Sequence, residues 1–248
     1  METTTPQPAR QIPDGIVYAI PEMESIVATH TDVPYSTENE GLKLDVYAPP
    51  NLSTDARLPA VLFVHGSAPA QRNLKNHGQY VSWGKLMGAL GLIAVTFNWD
   101  YPDPSGIEQL LIFVREHADE YQIDRDRLCI FTVSAGVSEG FTVALKGAPT
   151  YLRCVVGYYG DPSPALDVFS LEESAQLPAI LLVKAALDDP SLIEGTDRFV
   201  EDLTARGAQV TLLTHENGVH AFDIRNDDDR SREIIQQTVE FIKLQLSK

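Results

Sequence analysis

The chain has 248 residues, 44% of them hydrophobic, and sets 19 Lys and Arg against 35 Asp and Glu for a formal net charge of −16. That length suits one domain with a full core, and a field so negative repels phosphate backbones and anionic membrane surfaces, so neither nucleic acid nor membrane is an expected partner. Two cysteines, Cys129 and Cys154, are too few for a disulfide framework, though not for one bridge; each lies in an apolar run, where a free thiol behaves as a small hydrophobe.

Residues 1–15, METTTPQPARQIPDG, are polar and proline-bearing without periodicity, and read as a flexible arm ahead of a single domain over 16–248. No basic segment followed by an apolar core opens the chain, which points to the cytoplasm, and no run of about 18 apolar residues suggests a membrane span. From Ser25 to Tyr47, SIVATHTDVPY and LKLDVYAP alternate apolar and polar residues, the pattern of antiparallel strands packed on one face. Then come short, nearly continuous apolar runs rich in β-branched residues: PAVLFVHG, GLIAVTFNW, RLCIFTVS, LRCVVGYYG, PAILLVKAA and AQVTLLTH. Such runs suit parallel strands covered on both faces.

Helical patterns separate the runs. They cover Val81 to Leu90, closed by Gly91; a stripe of Ile107, Leu110, Leu111, Val114, Ala118 and Tyr121, opened by a Ser105/Glu108 capping box; Ala135 to Lys146, closed by Gly147; Thr196 to Arg206, closed by Gly207; and a last stretch from Arg230. Alternating strands and helices of this length predict an α/β fold with a mostly parallel sheet, an antiparallel N-terminal edge and helices on both faces, whose ligands sit at the carboxyl ends of strands.

At one such end the sequence turns from LCIF to Thr132-Val133-Ser134-Ala135-Gly136 just before a helix, the strand-turn-helix setting of a nucleophile elbow. Small neighbours let strand and helix pass closely, and the turn aims the Ala135 N–H at a negative oxygen formed beside Ser134, which favours acyl chemistry. Serine is also a preferred helix cap, so the motif gains weight only with a base and an acid. Asp188 and Asp189 follow the LLVKAA run, and His220 stands in the loop ENGVHAFD after the last strand. Neither cysteine has metal-ligand spacing, no HExxH occurs, and the acidic run Asn226–Arg230 lacks the ligand alternation of a calcium loop. It suits a helix N-terminus instead. No glycine-rich phosphate loop follows a strand, and no metal or cofactor is expected.

Four separated motifs, VHGSA, DRDRLCIFTVSAG, LLVKAALDDP and GVHAFD, with the order serine, acid, histidine, resemble those of the α/β-hydrolases of the compact esterase and dienelactone-hydrolase-like kind. The resemblance spans about Ser25 to the C-terminus and implies Ser134 as nucleophile, His220 as base and Asp188 in preference to Asp189 as acid. It implies an oxyanion site from the Ala135 N–H and an N–H of Gly66 or Ser67. Candidate substrate-binding residues are His65, which also suits a loop-holding role, and Trp99 and Tyr159, aromatic residues near strand ends that equally suit core packing. The connection DPSPALDVFSLEESAQL is too short for the large cap of lidded lipases, so an open pocket for a small or moderately sized ester is expected. A lactone hydrolase, or a small-molecule binding protein on the same scaffold, is the alternative. Oligomeric state is not legible.

Overall fold

The computed structural model describes residues 15–170 and 176–248; apart from Gly15, the expected N-terminal arm lies outside the described residues. Eight strands form one sheet: β1 (Ala28–Pro34), β2 (Lys43–Tyr47), β3 (Leu58–Val64), β4 (Ile93–Phe97), β5 (Ile123–Val133), β6 (Leu152–Tyr158), β7 (Ala179–Ala185) and β8 (Val210–His215). They lie in the order β1-β2-β4-β3-β5-β6-β7-β8. β1 pairs antiparallel with β2, and β2 with β4; every other pairing is parallel.

Successive residues of a strand point to opposite faces, and the sheet therefore feeds two cores. Leu62 and Val64 of β3, with Ile130 of β5, pack beneath α2 (Ser105–Glu116), α3 (Gly136–Leu145) and α4 (Pro190–Ala205), where Ile107, Leu110, Phe141 and Phe199 complete the cluster. Val61 and Phe63, with Phe131, face α1 (Gly78–Ala89) and α6 (Asp229–Leu246), which contribute Trp83, Leu86, Ile235 and Ile242. Cys129 and Cys154 are buried free thiols in register on β5 and β6. Gly91, Gly147 and Gly207 end α1, α3 and α4 in the left-handed region, φ +86, +69 and +81, with open space around each. Conformation alone asks for glycine there.

Three helix starts differ from the sequence reading. Ser105 is the first residue of α2 and does not cap it: Asp103 accepts from the Ser105 N–H at 3.0 Å and from its hydroxyl at 2.8 Å, a charged acceptor displacing the expected capping box. α4 begins at Pro190, six residues ahead of Thr196, because Asp189 accepts from the Ser191 N–H and proline suits the first turn. α1 starts at Gly78, with the His77 ring accepting from the Gln79 N–H. The β6–β7 connection, residues 159–178, carries a short 3-10 turn at Ser163–Asp167 and has no room for a cap domain. Among the described residues no helix is long and apolar enough to cross a membrane.

Candidate active site

β5 ends at Val133, and the chain reverses into α3 through Ser134, whose φ of 55 is unusual for a residue with a side chain. Such strain persists only where the surroundings over-determine it. Here the Ser134 N–H donates to the Tyr158 carbonyl at 3.0 Å, and the Val137 N–H donates back to the Ser134 carbonyl at 3.0 Å. Close approach does the rest: a Cβ on Gly136 would strike the His65 carbonyl oxygen, and one on Gly160 would strike the Ser134 carbonyl oxygen. The side chain of Ser134 is left facing outward from the sheet's carboxyl end.

Two other strand ends meet it. After β7, Asp188 turns in, its Oδ1 accepting from the Asp189 N–H at 2.8 Å. After β8, the loop folds back through the Gly218 N–H to His215 carbonyl bond (3.0 Å), while the Leu187 N–H donates to the Gly218 carbonyl (2.9 Å). Ala221, φ 60, then redirects the chain so that Phe222 of α5 (Phe222–Arg225) is wholly buried and stacks on Tyr158, ring centroids 5.3 Å apart. His220 is held between. Its Nδ1–H donates to Asp188 Oδ2 at 2.8 Å, and its Nε2 accepts the Ser134 hydroxyl at 2.8 Å. The carboxylate is nearly dry, 6% exposed, and the imidazole is 34% exposed. Asp189 points away and caps α4.

This line can move a proton from Ser134 to His220 and set a carboxylate against the imidazolium that results. The Ser67 and Ala135 N–H groups have no hydrogen-bond acceptor among the described residues. Gly66 is different, and here the sequence reading is corrected: its N–H donates to the buried hydroxyl of Tyr80 at 3.2 Å, so it is not free for an oxyanion. Four cavities of 260 to 450 Å³ open elsewhere on the described surface, and none is lined by Ser134, Asp188 or His220.

A family model described as BD-FAE matches residues 44–153, from β2 to β6. Solved structures cover more. A truncated carbohydrate esterase from gut microbiota superposes with a TM-score of 0.70 at 16% identity, over 88% of this chain and 96% of that one. A Klebsiella pneumoniae protein assigned to the dienelactone hydrolases gives 0.68 at 18% identity, over 88% and 99%. The chain has the α/β-hydrolase fold. A thermophilic esterase of the Planctomycetes species Thermogutta terrifontis, whose structure with propionate bound gives 0.67 at 16% identity over 90% and 95%, shares the α/β-hydrolase fold. At these identities the likeness concerns fold. No curated protein matches the sequence.

Within this fold the expected substrate-binding residues all turn out to be interior. His65 is wholly buried: its Nδ1–H donates to the Gly66 carbonyl at 2.7 Å and its Nε2 accepts the Trp99 N–H at 3.2 Å, which fixes the tautomer. Burial lowers its pKa to about 4, so the ring is neutral. Trp99 is buried too, its indole N–H donating to the His65 carbonyl at 3.1 Å. The pair splints the turn after β3. Tyr159 is 3% exposed, with its ring edge against His220, centroids 5.0 Å apart, and its hydroxyl on Asp223. Position at a strand end gave no direction for these side chains. Of the remaining histidines, His215 is buried with Nε2 near Ser231 Oγ (2.9 Å), His30 lies edge-on to Tyr121, and His117 stacks on Phe113. The sequence reading did not single out Gln79, Tyr80 or Asp223; their one signal was the repeated appearance of polar groups among core residues of α1 and of the HAFD segment.

Proposed function

We propose that this α/β-hydrolase cleaves carboxylic esters of small, uncharged substrates through an acyl-enzyme on Ser134. The observation that carries the reading is the unbroken line from Ser134 Oγ through both nitrogens of His220 to Asp188, each link 2.8 Å. Ser134 Oγ attacks the carbonyl carbon while His220 Nε2 takes its proton, and the Asp188 carboxylate stabilises the imidazolium. His220 then returns that proton to the alcohol oxygen as it leaves. Water, deprotonated by His220, attacks the acyl-enzyme in turn, and the acid departs as Ser134 recovers its hydrogen. The Ala135 and Ser67 N–H groups are the donors we assign to the oxyanion; losing one such donor typically costs about 3 kcal/mol of transition-state stabilisation. No step draws on a cofactor.

An imidazole 34% exposed, and a β6–β7 connection too short for a cap, suit an open site reached by water-soluble esters. The Thermogutta terrifontis esterase, with propionate or butyrate in its structures, supports short acyl groups. A net charge of −16 disfavours anionic esters.

Incubation with a fluorophosphonate followed by peptide mass spectrometry, beside a panel of p-nitrophenyl acyl esters, acetylated sugars and a lactone, tests the proposal. We expect an adduct on Ser134 and turnover falling with acyl length, both lost in Ser134→Ala, which keeps its fold. Undiminished turnover in Ser134→Ala, or labelling elsewhere with Ser134 untouched, overturns it.

A further inference from the structure

Beneath the His220 loop lies a carboxyl group that the reaction above does not use. Asp223 is wholly buried, and its side-chain partners are neutral donors. Oδ2 accepts from Gln79 Nε2 at 2.8 Å and Trp83 Nε1 at 3.1 Å, and Oδ1 accepts from the Tyr159 hydroxyl at 2.9 Å. The indole can only donate, and Gln79 Nε2 also donates to Tyr159 Oη at 2.7 Å, which commits the phenolic proton to Asp223. Burial pushes the carboxyl above the usual range, and the three donors oppose that rise. A polar cluster so enclosed rigidifies what it touches when every member is satisfied.

What it touches is the proposed base. His220 is anchored at Nδ1 and Nε2, but hydrogen bonds tolerate some tens of degrees of misalignment, so two of them leave the imidazole free to tilt. The Tyr159 ring edge supplies the missing restraint, 5.0 Å from the imidazole centroid at an interplanar angle of 64°. Tyr159 is itself over-determined: its φ is 39, its N–H donates to the Val183 carbonyl at 2.9 Å, and its ring meets Tyr158 and Phe222 edge-on. The hydroxyl adds the ring's hydrogen-bonded tie to Asp223, just after the His220 loop, and to Gln79 of α1.

We infer that Asp223 is a positioning residue for the proposed ester hydrolysis. By holding the Tyr159 hydroxyl it fixes the Tyr159 ring as the wall that keeps the His220 imidazole in the plane joining Ser134 to Asp188. The inference rests on the reading of Ser134, His220 and Asp188 given above, and adds a second carboxyl that acts on the base through an aromatic ring rather than by contact.

The test uses the full chain as wild type, Tyr159→Phe, Asp223→Asn and the double variant, with p-nitrophenyl acetate turnover and proton NMR of the low-field His220 Nδ1–H as readouts. Each single change is expected to lower kcat roughly tenfold, within the range that small misplacements of catalytic groups cost, with KM changed less than about twofold. The double variant should be no slower than the slower single one, since both cut the same link. The Nδ1–H signal should shift or broaden in each, an effect that a merely structural carboxyl would not produce in a folded Tyr159→Phe protein. Wild-type kcat and an unmoved signal in Tyr159→Phe overturn the inference, as do losses that multiply in the double variant. Should Asp223→Asn fail to fold, Tyr159→Phe alone decides. A signal that responds to Tyr159→Phe in a protein that turns over no ester upholds the positioning role and removes only the proposed activity.

Discussion

Replacing Asp188 by Ala removes the acceptor of the His220 Nδ1–H and, in the proposed reaction, leaves the imidazolium of the transition state without its counter-charge. At the observed 2.8 Å separation, two unit charges attract by about 6 kcal/mol at an effective dielectric near 20 and by about 1.5 kcal/mol in water. The carboxylate is 6% exposed and the imidazole 34%; discounting the buried figure for that exposure leaves roughly 3–4 kcal/mol. At 1.36 kcal/mol per decade the loss in kcat is about 200- to 1,000-fold. KM should change little, because the ground-state ester meets neither group's charge. The control is Asp189→Ala, which deletes the cap of α4 but not the His220 partner: it should lower the thermal midpoint and leave kcat within about threefold. Steady-state kinetics on p-nitrophenyl acetate, with thermal melts of both variants, gives the answer. Equal losses of kcat in the two variants, or a larger one in Asp189→Ala, would refute the assignment of the acid and the electrostatics behind it.

Gly136→Ala drives a Cβ into the His65 carbonyl oxygen, and should destabilise by about 1–3 kcal/mol in urea unfolding while displacing the elbow and lowering kcat; wild-type stability would contradict the close approach. Tyr80→Phe strands the buried Gly66 N–H, for a loss of about 1–3 kcal/mol on the same assay; an unchanged midpoint would mean that this N–H finds another acceptor. His65, with its folded pKa lowered to about 4 against about 6.5 unfolded, binds its proton more readily in the unfolded chain. Its contribution is therefore fully present above pH 6.5 and is lost as pH falls toward 4, at up to about 1.4 kcal/mol per pH unit. His65→Asn should flatten the pH dependence of unfolding free energy in that window, and parallel curves would show that the ring charges freely.

The sheet was legible because each parallel strand had to be apolar on both faces, and runs such as PAVLFVHG or PAILLVKAA are too short for a buried helix and rich enough in branched residues to read as covered strands. The three glycine stops were legible because a left-handed φ with empty space around it leaves a residue preference behind. Ser134, Asp188 and His220 stand where apolar runs break off, and a parallel sheet brings its breaks to one edge. What the sequence hid was direction and long-range partnership. Tyr159 directly follows its strand as Ser134 does, and Trp99 lies two residues past the end of β4, yet both are buried. Gly66 looked like a donor in a turn, but its N–H is claimed by a hydroxyl on α1. Asp223 reads as one more acidic residue in an acidic chain, and only the convergence of α1 and β6 on it shows otherwise.

Helix α1 touches both halves of the candidate machinery through neighbouring residues: Tyr80 takes the Gly66 N–H, and Gln79 reaches Asp223 and Tyr159. A rigid rod gripping two parts at one end makes them translate in concert, so the turn after β3 and the His220 loop stay mutually registered even when the helix rocks against the sheet. Retuning the candidate site for bulkier substrates therefore has a mechanical boundary. Exchanges in the loops around Tyr101, Leu187 and Val219, exposed apolar residues adjoining those parts, leave the rod untouched, whereas any repacking beneath Trp83 shifts the β3 turn and the His220 loop together.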